Sequence, residues 1–132
     1  MARARAASGK EPIVDFNAVF AELRKILEPY APKMRVMEDN PGRYTLIAGY
    51  SEKLEKDIWF ASTVVHKSYV SFYLMPIYMN PPLQAMVSPE LKKHMQGKAC
   101  FNFKTLEPKL FGELKTLTKK GCSDFRKLGY TS

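Results

Sequence analysis

Side chains that could perform chemistry are few in this chain of 132 residues and stand far apart. His66 and His94 lie 28 positions apart, one in a predicted turn and one on a predicted short helix, and neither has a serine or cysteine placed beside it as a nucleophile. Cys100 and Cys122 lack the close spacing of zinc ligands. Phosphate-binding loops, dinucleotide motifs and nucleophile elbows are also missing. We therefore expect a protein that is not an enzyme and that holds no cofactor or metal.

The residues best suited to binding lie in the segment Asp57–Asn80, which is rich in aromatic and β-branched side chains. It predicts two strands that reverse at His66-Lys67-Ser68. A two-residue turn, either His66-Lys67 or Lys67-Ser68, would pair odd residues of the first strand with even residues of the second. One face of the hairpin would then carry Trp59, Ala61, Thr63, Val65, Val70, Phe72 and Leu74, and the other Phe60, Ser62, Val64, His66, Tyr69, Ser71, Tyr73 and Met75.

The second face mixes aromatic rings, hydroxyls, a thioether and an imidazole, as ligand-binding surfaces do. We predict that His66, Tyr69, Tyr73 and Met75 line an accessible surface with Phe60 and Val64 as its floor. Its ligand would be a small organic molecule or a protein partner. Two alternatives stay open: an ordinary half-exposed sheet face, or a second small core covered by residues 77–87.

The remaining elements must support this hairpin. Apolar residues at helical spacing predict an amphipathic first helix that ends at Pro29 and Pro32; they are Phe16, Val19, Phe20, Leu23, Ile26, Leu27 and Tyr30. A second hairpin surrounds Asn40-Pro41-Gly42, with a loop that we expect to be longer than two residues. Ser88-Pro89-Glu90 predicts the start of a short helix. A strand at residues 100–103 and a final amphipathic helix near Pro108 follow.

This order predicts an α+β fold, in which an antiparallel sheet of about five strands carries the N- and C-terminal helices on one face. The short helix precedes the last strand. Residues 11–132 would form a single domain, and residues 1–10 a disordered basic tail. We expect three residues of the drier hairpin face to be buried against the two long helices: Trp59, Phe72 and Leu74, against Phe20, Leu23 and Leu114.

The net charge of +8 is concentrated at the two ends of the chain, with +3 in residues 1–10 and +6 in residues 90–132. Such asymmetry can indicate an anionic partner, although a solvated lysine-rich helix explains it as well. We do not expect nucleic acid, because the C-terminal lysines would lie behind the sheet, away from the tyrosines. No apolar run is long enough to span a bilayer and no secretory signal is present, so we expect a cytoplasmic monomer or homodimer that does not bind membranes.

From Trp59 onward, the sequence resembles the YdhG-like proteins, a bacterial family of small domains largely of unknown function. The matching pieces are FASTVVHKSYVSFYLMP, SPELKKHMQGKACFNF and EPKLFGELKTLTKKG, and the resemblance extends over residues 59–120. The resemblance implies an α+β domain that is distantly similar to frataxin. Frataxins handle iron on an acidic ridge of their first helix and strand. In this chain, the first helix and the strand after it, which the resemblance covers more loosely, offer Asp15, Glu22, Glu28, Glu38 and Asp39 for that role. Metal handling is therefore one alternative function, and a nucleic-acid accessory role for the basic tail is another.

Overall fold

The first helix begins at Phe16 in the computed structural model of the chain, which describes residues 15–131. This helix, α1 (Phe16–Leu27), is capped by Asp15, whose carboxylate accepts hydrogen bonds from the backbone N–H groups of residues 17 and 18 at 3.0 and 3.2 Å. A 3₁₀ turn, Glu28–Lys33, follows and contains both prolines that were expected to end the helix. The predicted tail, residues 1–10, lies outside the described residues.

Six strands form one sheet: β1 (Arg35–Asn40), β2 (Arg43–Ser51), β3 (Lys56–Val65), β4 (Val70–Leu74), β5 (Met95–Gln96) and β6 (Cys100–Phe103). Their order is β1-β2-β3-β4-β6-β5, and all neighbours are antiparallel. The predicted sheet of about five strands is thus confirmed, with the two-residue β5 as the addition. Asn40 pairs with Arg43, so a two-residue loop connects β1 and β2 and the expectation of a longer loop was wrong.

Four helices follow β4: α2 (Met75–Met79), α3 (Pro81–Gln84), α4 (Pro89–Lys92) and α5 (Pro108–Lys127). The predicted start of the short helix α4 is confirmed, since the Ser88 hydroxyl accepts the Leu91 N–H at 3.1 Å. Glu113 of α5 accepts from both the backbone N–H and the hydroxyl of Ser88, at 2.8 and 2.6 Å. No helix within residues 15–131 is long and apolar enough to cross a membrane.

The core lies between the sheet and the two long helices, as predicted. Phe72 and Leu74 are fully buried in one cluster with Phe20, Leu23 and Leu114. The same cluster contains four apolar residues of the segment after β4: Ile77, Leu83, Val87 and Leu91. Because this segment packs beside α5 on the helical side, the alternative in which residues 77–87 cover the opposite face of the sheet is not realised.

A register shift in β3 reverses the predicted positions of Trp59 and Phe60. Leu46 of β2 pairs with Ala61, but its neighbour Ile47 pairs with Trp59, so Phe60 is an extra residue in β3. Phe60 and Ala61 consequently both lie in the core, where regular alternation would separate them. Phe60 is completely buried, whereas Trp59 is 40% exposed. The predicted burial of Trp59 was therefore wrong, and so was the predicted position of Phe60 in the floor of the face opposite the helices.

Candidate functional site

The face of the sheet opposite the helices, here called the open face, carries two rows of paired residues from β3, β4 and β6. Ser62 pairs with Tyr73 and Tyr73 with Cys100; one row away, Val64 pairs with Ser71 and Ser71 with Asn102. The hairpin register places these residues together as the odd-to-even pairing predicted. Apart from Phe60, the open face thus contains the predicted alternation of small polar and larger side chains.

One hydrogen-bonded chain crosses the open face between β1 and β3. The Thr45 hydroxyl donates to the Glu38 carboxylate at 3.0 Å and lies 2.7 Å from the Ser62 hydroxyl. Because the Thr45 proton is directed to Glu38, Ser62 must donate to Thr45. Thr45 and Ser62 are buried, so these contacts satisfy hydroxyls that would otherwise be costly to bury. Their role is structural.

A second chain links β4, β6 and β5. The Ser71 hydroxyl donates to the Asn102 side-chain oxygen at 2.6 Å, and the Cys100 thiol approaches the same oxygen at 3.4 Å. The Asn102 amide in turn donates to Gln96 at 2.8 Å. These groups satisfy one another's hydrogen bonds. Tyr73, whose hydroxyl also interacts with Ser71 and Cys100, is the large half-buried side chain at the centre of the face.

Burial raises the pKa of the Tyr73 hydroxyl, and it also raises the pKa of the neighbouring Cys100 thiol. Both groups are therefore protonated and uncharged near neutral pH. A thiol in this state is a poor nucleophile and a poor metal ligand. The centre of the open face can offer hydrogen bonds and apolar contact, but not a reactive anion.

His66 and Tyr69 lie at the end of the open face that is formed by the turn. The His66 N–H donates to the Tyr69 carbonyl at 2.8 Å, which selects Lys67-Ser68 as the two turn residues. The two rings lie 4.9 Å apart. The Nε2 atom of His66 is enclosed and has no hydrogen-bond partner among residues 15–131. The pair closes the turn and leaves this nitrogen inaccessible to a ligand.

The other end of the open face contains an apolar cleft, here called the Trp59 cleft. Its volume is about 410 Å³, and its walls are formed by Leu54, Lys56, Asp57, Ile58, Trp59, Met75 and Met79. Ile58 is buried beneath it, whereas the exposed fractions of Leu54, Trp59 and Met79 are close to two-fifths. Large apolar side chains that remain exposed around one concavity are typical of a binding site.

The polar rim of the Trp59 cleft is positively biased. Asp57 accepts a hydrogen bond from the Arg35 guanidinium at 2.6 Å and is thereby neutralised. Lys56 is exposed and forms no ion pair with any residue between 15 and 131. A ligand in the cleft would therefore meet one unpaired ammonium group, which favours neutral or anionic molecules over cations.

Of the five predicted site residues, only Met75 lies in the Trp59 cleft. His66 and Tyr69 are at the opposite end, Tyr73 is between, and Phe60 is a core residue that packs against Tyr30 and Phe125. The sequence prediction missed the other six residues of the cleft, among them Trp59, Met79 and Leu54. A signal for Met79 was available, since it stands one helical turn after Met75, directly after an aromatic strand.

Comparisons with protein-family models, with curated proteins and with solved structures found no match. Three or more His, Cys, Asp or Glu side chains do not come together as a metal-binding group anywhere in residues 15–131. The chemical interpretation therefore rests on the geometry of the open face and of the Trp59 cleft.

Proposed function

We propose that this chain is a non-enzymatic binding domain that uses the Trp59 cleft, at one end of the open face, to hold a small organic ligand. The ligand would be largely apolar, with a flat ring against the indole of Trp59 and a neutral or acidic group toward Lys56. The observation that carries the proposal is the exposed tryptophan in the wall of an apolar cleft, beside two methionines.

Three properties of the cleft support this proposal. Its volume of about 410 Å³ is within the range of small-molecule sites. An indole provides a large rigid surface for ring stacking at little entropic cost. Methionine side chains are flexible and polarisable, so Met75 and Met79 can adapt to the shape of a ligand.

The cellular setting belongs to the same proposal. A cytoplasmic location is supported by the two free thiols, Cys100 and Cys122, because a reducing compartment keeps cysteines unpaired. The domain would act as a monomer or homodimer. The resemblance to YdhG-like domains is compatible with this function, and iron handling or nucleic-acid binding remain the alternatives that experiment must separate.

The proposal predicts that small aromatic carboxylic acids bind at Trp59. The chain has one tryptophan, so its emission reports on the cleft directly. A fragment screen should change that emission and should shift amide NMR signals of residues 54–59 and 75–79. Replacing Met79 by alanine should weaken a bound fragment by about threefold to tenfold, because the fragment loses thioether contact.

Met86→Ala is the matched control, since Met86 is exposed to a similar extent, 43% against 39% for Met79, but lies outside the cleft. It should leave the affinity unchanged. Shifts confined to residues 66–73 would instead place the site at the tyrosine end of the open face. A rise in melting temperature with stoichiometric iron(II) or zinc, or salt-dependent oligonucleotide binding, would favour the alternatives.

A further inference from the structure

A second concavity lies on the opposite side of the molecule, between α1 and α5. This α1/α5 groove has a volume of about 600 Å³ and is mainly apolar, with contributions from Ala18, Ala21, Ile26, Leu106, Phe111 and Gly112. Ile26 and Phe111 are buried at its base, while Leu106 is 49% exposed. The groove therefore presents apolar surface that no described segment of the chain covers.

Gly112 keeps the α1/α5 groove open. It stands in the first half of the long helix α5, and a Cβ atom built on it would meet nothing within 4 Å. Packing within the chain thus does not require glycine here. An internal helical glycine costs about 1 kcal/mol relative to alanine. Glycine at this position leaves free space above the helix. That space allows the backbone of another chain to approach α5 closely.

The charged residues that line the groove are Lys25, Lys115 and Glu22. Lys25 is paired with Glu22 at 2.9 Å, so the positive charge that remains at the groove is that of Lys115. The ion pairs found within residues 15–131 include no lysine of α5. The two acidic residues of that helix are already engaged elsewhere, Glu113 with Ser88 and Asp124 with Asn80. With six basic residues against these two acids, α5 carries an excess of positive charge.

We infer that the α1/α5 groove binds an acidic amphipathic helix of a partner protein. An apolar groove between two helices accepts the apolar stripe of a third helix, and carboxylates flanking that stripe would meet Lys115. A second copy of this chain would bring another lysine-rich α5 to the same place. The chain's own residues 1–10 carry a charge of +3. Both of these occupants would be repelled.

The test uses a fluorescein-labelled amphipathic peptide of about 18 residues, long enough to form a helix, with leucines on one face and glutamates on the other. Fluorescence anisotropy should show saturable binding to the full chain. Gly112→Leu should weaken binding by at least about tenfold, because the new side chain occupies the groove without disturbing the fold. Lys115→Glu should weaken it as well, and circular dichroism would verify that both variants are folded.

Two control peptides distinguish the outcomes. A peptide with lysines in place of the glutamates, and one with the acidic composition but a scrambled stripe, should both bind poorly. The inference would be overturned if the Gly112→Leu chain kept its affinity for the peptide, or if the scrambled peptide bound equally well. Concentration-dependent dimerisation through the groove, or preferential binding to anionic lipid vesicles, would also overturn it. Trp59→Ala should leave the affinity for the peptide unchanged, which would show that peptide binding does not depend on the Trp59 cleft.

Discussion

Replacing Phe60 by alanine is expected to lower the free energy of unfolding by about 3–5 kcal/mol, the usual cost of removing a buried aromatic ring. Phe60 is completely buried, and its ring lies 5.5 Å from that of Tyr30 and 6.0 Å from that of Phe125. Its removal would leave a cavity where the sheet, the 3₁₀ turn and α5 meet. Urea denaturation followed by far-ultraviolet circular dichroism measures the change directly.

The neighbouring substitution, Trp59→Ala, provides the comparison. Trp59 is the larger residue, but it is 40% exposed on the other face of the sheet, so the expected loss is only about 1 kcal/mol. The order of the two effects tests the register shift in β3. If Trp59→Ala were the more destabilising change, regular alternation would hold and the described position of Phe60 would be incorrect.

Introducing valine at Gly121 is expected to destabilise the protein by about 3 kcal/mol, near the upper end of the usual cost of overpacking. A Cβ atom at this position would lie 2.7 Å from the Cβ and 2.9 Å from the Cγ of Pro76, at the contact between α5 and α2. The proline ring is rigid, and the backbone of one helix must therefore shift. The midpoint of urea or thermal unfolding should fall accordingly.

Gly112→Val is the matched control, because it makes the same substitution in the same helix at a position where a Cβ meets nothing within 4 Å. Valine has a better helix propensity than glycine, so this variant should be as stable as the native chain or slightly more stable. Equal destabilisation by both variants would show that a β-branched side chain in α5, and not the contact with Pro76, determines the result.

Local patterns in the sequence were sufficient to predict the main elements and their arrangement, although the short elements α2, α3 and β5 were not predicted. The apolar stripes of α1 and α5, the serine cap of α4 and the strand pair around residues 66–69 each depend on neighbours within a few positions. Antiparallel pairing then follows from short connections. For the same reason the hairpin between β3 and β4 has the predicted register, and Phe72 and Leu74 lie in the predicted core.

The composition of the candidate site was decided by contacts between residues far apart in sequence. No glycine or proline marks the extra residue at Phe60; the register shift arises where β3 pairs with β2. That single residue exchanges the faces of Phe60 and Trp59 and so moves the accessible aromatic surface to the Trp59 cleft. The segment after β4 likewise packs beside α5, where Gly121 lets Pro76 approach closely, and leaves the open face uncovered. Such packing is a property of the assembled core. The spacing of apolar residues within a single helix or strand does not determine it.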